Sequence, residues 1–445
     1  MDSQKLFSNR SLLNLVIPLI LEQFLAVTVG MADSMMVASV SEAAVSGVSL
    51  VDSVNILLIN IFAALATGGA VVSGQYLGMK KKEKASIAAD QLVLFVFIVA
   101  LGIMVLMYLG KEFILTGVFG KISQEVYYHA NRYLLVVTAS IPFIALYNSG
   151  AALYRSMGDS KTSLRISLIV NIVNVVGNAI LIYGFKLGVV GAAIPTLISR
   201  ALGAFIVLIK LRDQNLLIHL SVPFKFKLDG KMIKKILHIG VPSGIENSLF
   251  QLGKIMLLSL VTGFGTSAIA ANSVAGTLSN FHILPASAIG LALITVVSRC
   301  VGARDYQQAR YYTRKLMIAA YISMTVASLL LFILLPFLLK VYNLSPETTT
   351  LTYNISSSHI FASILIWPSA FTLPNVLRAA NDVKYTMTVS IMSMWIFRIV
   401  LAFILGWYTD LGVYSVWIAM YVDWVVRSFF FIIRYHSKKW ERQAI

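Results

Sequence analysis

The sequence predicts an all-α integral membrane protein of twelve transmembrane helices, arranged as two six-helix lobes related by a pseudo-two-fold axis along the membrane normal. Three observations predict it: a deficit of charge, a series of long apolar runs, and an internal repeat at about half the chain length.

Only 12% of the 445 residues are charged and 58% are hydrophobic. A soluble domain carries about 25% charged residues, so most side chains here do not face water. Residues 86–109 hold one charged residue, Asp90, and residues 317–339 hold none. A span needs about 20 apolar residues, each rising about 1.5 Å. Spans are expected at about 11–38, 45–77, 84–110, 122–154, 160–185 and 187–211, then at about 232–263, 268–301, 307–341, 346–378, 383–409 and 411–436. This gives an N-lobe over 1–211 and a C-lobe over 232–445. The cytoplasmic linker between them, 212–231, includes Pro223 and the basic run Lys225, Lys227 and Lys231. Asp229 reads as the N-cap of a helical segment at 230–239. Ile233, Ile236 and Leu237 recur at helical spacing, so this segment is expected along the membrane surface before the chain turns in.

The distribution of positive charge sets the orientation. The net charge is +17, but the basic residues form short clusters between apolar runs, such as Lys80, Lys81, Lys82 and Lys84. A nucleic-acid-binding chain would concentrate them on one face. Lys111, Lys121, Arg132, Lys186 and Lys340 fall on one side of the membrane. Arg200, Lys254, Arg398 and Arg427 fall within spans, and the rest of the 36 fall on the other side. Both termini are therefore expected in the cytoplasm of a plasma-membrane protein. The single cysteine, Cys300, permits no internal disulfide. The first apolar stretch exceeds signal-peptide length and contains Pro18 and Glu22, so no cleavable leader is expected.

The repeat is read by comparing the chain with itself. Pro18 matches Pro242, Glu22 matches Glu246, Gly78 matches Gly302 and Ala85 matches Ala309. Arg155, Asp159 and Lys161 match Arg378, Asp382 and Lys384, and Gly188 matches Gly412. Each half has an even number of spans, so both halves enter the membrane from the same side. Parallel repeats of this kind are a transporter architecture with binding at the repeat interface. No phosphate-binding G-x-x-x-x-G-K-[ST] loop and no H-E-x-x-H is present, so an enzyme is not expected. Neither a Gly-rich filter loop nor a charged ring points to a channel.

At Pro18-x3-Glu22, Gly30-Met31-Ala32-Asp33 and Gln75-Tyr76-Leu77-Gly78, the N-terminal half resembles the multidrug and toxic compound extrusion (MATE) family. Leu153-Tyr154-Arg155-Ser156-Met157-Gly158-Asp159-Ser160-Lys161 is similar to that family's loop between spans 4 and 5. Thr266-Ser267-Ala268-Ile269-Ala270-Ala271 resembles the start of its eighth span. The resemblance covers nearly the whole chain. It implies export of amphipathic, often cationic, compounds in exchange for Na⁺ or H⁺.

Ionisable groups within spans are costly, about 2.5–3.5 kcal/mol each on insertion scales, and each needs a reason. Asp33 lies in the outer half of span 1. Asn174 and Asn178, four apart, share one face of span 5, and Thr196 lies on span 6. One carboxylate and three neutral oxygens suit a hard monovalent cation, by analogy with other hard cations. The resemblance implies a cation site at these four positions, with one departure: Asn178 stands where the family members that have the site carry an aspartate. A single acid argues for one cation or one proton per cycle. The residues also permit a second reading, in which the asparagines only tie helices together.

Glu22 and Glu246 each follow a proline by four residues, and Pro18 and Pro242 are candidate helix hinges. The glutamates could bind substrate, carry a proton or cap a freed donor. The resemblance also points to Glu246 as an acid that some members pair with an acid on span 10. Here span 10 has none beyond Glu347 at its outer end, which argues against a C-lobe cation site. Arg398, in the repeat position of Asn174, could stand in for a bound cation, with Glu246 or Asp423 as its partner, or could form a purely structural buried pair. Lys254 could pair with an acid or snorkel. Met31, Met35 and Met36 either line an adaptable cavity or pack. His359 is expected as a satisfied polar residue, and Asp52 and Asp90 as hydrated groups near span ends. The Arg/Asp/Lys set in the two matching loops is expected to fix cytoplasmic loop structure.

The expected function is a secondary active antiporter that exports amphipathic or cationic drugs and xenobiotics. A flippase for a lipid-linked precursor is the alternative. A basic cavity would favour the flippase, and an acidic or aromatic cavity would favour drug export. No cofactor or metal is expected beyond the coupling ion, Na⁺ or H⁺. The expected partners are a small amphipathic substrate and membrane lipids, with no nucleic acid, for a chain that works as a monomer.

Overall fold

The computed structural model describes residues 5–118, 122–224, 226–342 and 344–443. Lys121 and Lys225, used above to read orientation and the linker, lie outside them. Among the described residues the chain is helical and forms no strand. Twelve helical segments follow one another. The first six are α1 (Asn9–Ala38), α2 (Glu42–Gly78), α3 (Lys82–Leu109), α4 in two parts (Gln124–Thr138 and Ile141–Ser156), α5 (Ser160–Gly184) and α6 (Val190–Lys210). The next six are α7 (Gly230–Thr262), α8 (Thr266–Gly302), α9 (Tyr306–Val341), α10 (Pro346–Ala379), α11 (Val383–Tyr408) and α12 (Tyr414–His436).

Ten of these are long and apolar enough to cross a membrane, and the two parts of α4, bent by 50°, make an eleventh. The α4 bend has a local cause: Pro142 opens its second part and has no N–H to continue the ladder from the first. At 33 residues α7 is long enough, but Glu246, Asn247, Gln251 and Lys254 make its middle polar. Large apolar side chains such as Leu109, Ile333 and Phe337 stand fully outward. In water such surface would be an association hazard; in a bilayer it faces lipid. The chain is a multi-pass membrane protein.

Two compact units divide it. One is Asn9–Gly244; the other takes the chain from Ile245 onward with the N-terminal residues before Asn9. The division falls inside α7, two residues past Pro242. The repeat is visible in the backbone of each unit. α2 and α8 are both 37 residues long. Left-handed residues close matching helices: Lys80 and Arg304 after α2 and α8, Gly158 and Asn381 after α4 and α10. Ser123 and Ser345 both cap their helices, accepting from Val126 N at 3.3 Å and Thr348 N at 3.2 Å. The match is not complete. Asp159 caps α5 through Thr162 N at 3.0 Å, whereas Asp382 binds Arg434 at 2.6 and 3.0 Å.

Pro18 sits inside α1. It has no N–H, so the carbonyl of Asn14 loses its helical partner. Ser160, the first residue of α5, supplies one: its hydroxyl bonds Leu15 O at 2.7 Å and Asn14 O at 3.1 Å. Val383 occupies the repeat position of Ser160 and has no hydroxyl to offer.

Two expectations are corrected here. Asp90 is not a hydrated span-end group. It is buried and accepts from Ser221 N at 3.0 Å and Ser221 Oγ at 2.5 Å. Next to it, Gln91 donates to Lys227 O at 2.9 Å and accepts from Asp229 N at 2.7 Å, so the start of α3 anchors the linker. The segment 230–239 is also not a surface helix. It is the first part of α7, capped by Asp229, whose Oδ1 accepts from Lys231 N at 2.9 Å. Its apolar face, with Met232, Ile233, Ile236 and Ile239 buried, packs on protein rather than lipid. Helical periodicity reports an apolar face but not what covers it. Gly68 of α2 permits the approach, because a Cβ there would stand 2.5 Å from Ile236 O.

Gly68→Val should therefore force α2 and α7 apart. The expected cost is about 1–3 kcal/mol, read as a lowered Tm of detergent-purified protein. An unchanged Tm would contradict this packing.

Candidate functional site

Asp33, Asn178, Asn174 and Thr196 meet in the unit Asn9–Gly244. Asp33 lies near the end of α1, the asparagines on the last turns of α5 and Thr196 on α6. Just past Asn178 the helix widens into a π turn, Ile180–Gly184, a distortion frequent at functional sites. Asn178 Nδ2 donates to Asp33 Oδ1 at 2.7 Å. The Thr196 hydroxyl donates to Ala192 O at 2.9 Å. Asp33, Asn178 and Thr196 line a cavity of about 110 Å³. Asn178 Oδ1 is buried and accepts no hydrogen bond.

The amide of Asn174 has two settings, and they differ in what they require. With nitrogen toward Asp33, it donates to Oδ1 at 2.9 Å and Oδ2 at 3.0 Å, and its oxygen accepts from Thr196 Oγ1 at 3.1 Å once that hydroxyl turns from Ala192 O. Turned over, it presents its oxygen to the carboxylate, accepts from Asn178 Nδ2 at 3.4 Å and donates to Thr196 Oγ1 at 3.1 Å. The first setting satisfies an ionised, empty site. The second sets two acceptor oxygens against each other, which only a proton or cation between them reconciles.

The sequence reading missed two members of this cavity, Asp52 and Tyr133, and the role of Arg200 near it. Asp52 lines it too, so it is not a span-end group left to water. It accepts from Tyr133 Oη at 3.1 Å and Asn55 Nδ2 at 3.4 Å. Arg200 donates to Ser140 Oγ at 2.8 Å and lies within electrostatic reach of both Asp33 and Asp52. The signal is in the sequence: Arg200 falls within a span, and such a charge demands an acid nearby.

At matching repeat positions the second unit loses the acid and gains cations. Asp33 corresponds to Leu257, Asn174 to Arg398 and Gly30 to Lys254. Arg398 lies in a π-helical stretch, Ser393–Val400. Its partner is Asp423, at 3.9 Å, and not Glu246. Asp423 is fully buried and is held more closely by Arg427 Nε at 2.8 Å and Ser393 Oγ at 2.5 Å. Arg427 also donates to Ser390 O at 3.0 Å. Lys254 has no ion pair among the described residues; its Nζ stands 5.0 Å from the centre of the Phe250 ring.

Glu246 pairs with Arg378 at 2.7 Å, and Glu22 with Arg155 at 3.7 Å and the Ser163 hydroxyl at 3.1 and 3.2 Å. The arginines of the two matching loop motifs thus serve the two proline-linked glutamates, as well as loop structure. Sequence separation hid these pairs, although both sets of partners had been recognised as repeats. His359 is buried in an aromatic cage, 5.0 Å from His282, 5.4 Å from Trp417 and 5.3 Å from Trp424. Met31 and Met35 are exposed and Met36 is buried, so the three do not share one lining.

The MatE family model matches the chain twice, at residues 18–180 and 242–404, an offset equal to that of the repeat. The probable multidrug resistance protein YoeA of Bacillus subtilis is 26% identical over 98% of this chain and 95% of its own length. Two solved structures share the fold at 19% identity. One is an outward-facing multidrug resistance MATE family transporter, with a TM-score of 0.89 over 97% of this chain and 96% of that one. The other is a transporter of the MOP superfamily from Pyrococcus furiosus, with a TM-score of 0.87 over 98% and 97%; it is described as having a binding pocket of reverse polarity that suggests a different function.

Removing one partner of a buried pair strands the other charge. Glu246→Gln should lower stability by about 3 kcal/mol, and more than Glu22→Gln, because the Glu22 pair is longer. Parallel thermal unfolding of both variants checks the order. Equal or reversed losses would contradict the assigned pairs.

Proposed function

The chain belongs to the MatE family of multidrug and toxic compound extrusion transporters, and we propose that it is a secondary active antiporter that exports amphipathic compounds in exchange for Na⁺ or H⁺. The observation that carries the reading is the cavity beside Asp33. The Asp33 carboxylate, Asn178 and Thr196 line it, the Asn174 amide lies within 3.0 Å of that carboxylate, and Asn178 Oδ1 is buried without a donor. Oxygen ligands of this kind suit a hard monovalent cation, and a proton on Asp33 satisfies the same geometry.

The cycle follows from the two settings of Asn174. In the empty site the amide nitrogens of Asn174 and Asn178 hold the ionised Asp33. An arriving cation turns the amides so that their oxygens face it, and the site becomes neutral. Arg200 offsets Asp52, so Asp33 remains the one unbalanced charge and the cycle takes one cation or proton. Loading at Asp33 favours one state of the transporter only by as much as the ion's affinity differs between states. α1 carries Asp33 and is interrupted at Pro18, which makes Pro18 the hinge of an alternating-access cycle; Pro242 holds the matching position in α7. Substrate enters from the cytoplasm or the inner leaflet of the plasma membrane, where both termini lie, and the chain works as a monomer.

A second reading, a flippase for a lipid-linked precursor, is favoured by the cations Arg378, Arg398 and Arg427 of the other unit. The acidic N-terminal cavity favours ion-coupled export.

Asp33→Asn should abolish gradient-driven transport in proteoliposomes while leaving the fold intact. Thr196→Val should weaken the driving ion by about tenfold, the value of one lost ligand to a charge. Separate Na⁺ and pH gradients identify that ion. Wild-type transport by Asp33→Asn would sink the proposal.

A further inference from the structure

Within the unit from Ile245 onward, four cations gather around two aromatic rings: Arg398 and Arg427 are buried, Arg378 is half-buried and Lys254 is exposed on its helix. Lys254, Arg398 and Arg427 surround one phenyl ring, that of Phe250, at 5.0, 5.4 and 5.6 Å from its centre. Arg427 also lies 5.3 Å from the centre of the Phe371 ring. Arg378 and Arg427 line one pocket. Against these four cations the described residues supply two carboxylates. Glu246 is taken by Arg378, and Asp423 is shared by Arg398 and Arg427. Two positive charges remain unmatched, one of them on the exposed Lys254, and an unpaired charge within a membrane-spanning segment is costly. Ring faces soften that cost but do not neutralise it.

Two further observations point to a missing anion. Arg398 is 8% exposed, yet its Nε has no hydrogen-bond partner, and the buried Nε of Arg378 has none either. Glu246, Asn247, Phe250, Phe371, Arg378 and Arg427 also line a cavity of about 190 Å³. Its walls hold one carboxylate, Glu246, whose Oε2 has no hydrogen-bond partner, against two guanidinium forks, which match carboxylate and phosphate oxygens, and aromatic rings, which accept an apolar body. A cationic compound would be repelled here.

We propose that this cavity binds the anionic group of an amphipathic substrate, a phosphate or carboxylate borne on an apolar body. Arg378 and Arg427 take the oxygens. Lys254 and Arg398 supply the balancing field through their grouping at Phe250, and the rings of Phe250 and Phe371 pack against the body. This rests on the reading of the chain as an exporter of amphipathic compounds, and it exchanges the expected cationic substrate for an anionic one. The sign of the charge differs between the two units: the first holds the coupling cation, and the second holds the substrate's anion.

The test is equilibrium binding to the full chain in an uncharged detergent, with no ion gradient, so a failure of coupling at Asp33 does not affect it. Dodecyl phosphate, laurate and dodecyltrimethylammonium, with the same tail length, are titrated by calorimetry alongside inorganic phosphate. The two anions are expected to bind saturably at one site, and the ammonium compound is expected not to compete. Arg398→Gln should weaken dodecyl phosphate by about tenfold or more, as for a lost charge-assisted contact. Lys254→Gln has no ion pair to break, so it tests the site even if Arg398→Gln fails to fold; it too should weaken the anions and leave Tm unchanged. Unchanged anion affinity in Lys254→Gln, displacement of dodecyl phosphate by dodecyltrimethylammonium, or no saturable anion binding would overturn the site. Inorganic phosphate binding as tightly as dodecyl phosphate would overturn the role of the apolar body.

Discussion

Every charge inside a bilayer must be paired, hydrated or used, because leaving it alone costs several kcal/mol. That constraint explains more of this protein than any apolar contact does. It pairs Glu22 with Arg155 and Glu246 with Arg378, and it buries Asp423 between two arginines and a serine. It draws the linker onto α3 through Asp90. Among the described residues, the balance does not close at the two candidate sites. Around Asp33 there is one negative charge too many, and around Phe250 there are two positive charges too many.

The repeat shows how such a difference arises on one scaffold. Helix lengths, capping serines and left-handed closing residues recur between units at an offset of about 224 residues, and the family model matches both halves. Backbone positions of this kind carry no chemistry, so both units keep them. Substitutions on the inward faces reset the charge. Asn174 gives way to Arg398, Asp33 to Leu257 and Gly30 to Lys254. The scaffold is shared and the sign of the charge is not.

Much of this was legible in the sequence, for a physical reason. Spans announce themselves by length and apolarity, and all twelve segments appear within a few residues of their expected limits. The convergence of Asp33, Asn174, Asn178 and Thr196 was also expected. What stayed hidden were pairings across long sequence separation. Asp52 joins Tyr133, 81 residues away, and Glu246 chooses Arg378 over Arg398 because α10 and not α11 brings its guanidinium within 2.7 Å. A sequence reveals that a buried charge needs a partner but does not say which of several candidates the packing delivers. The segment 230–239 misled for a related reason, since its apolar stripe fits a protein neighbour as well as a lipid surface.

The central claim is that ion binding resides in the first unit alone. Charge movement on a solid-supported membrane measures it directly, by a rapid Na⁺ or pH jump over reconstituted protein without substrate. The account predicts a binding current in the wild type that disappears in Asp33→Asn and persists in Glu246→Gln. A current that survives Asp33→Asn, or is lost in Glu246→Gln while the protein remains folded, would contradict it.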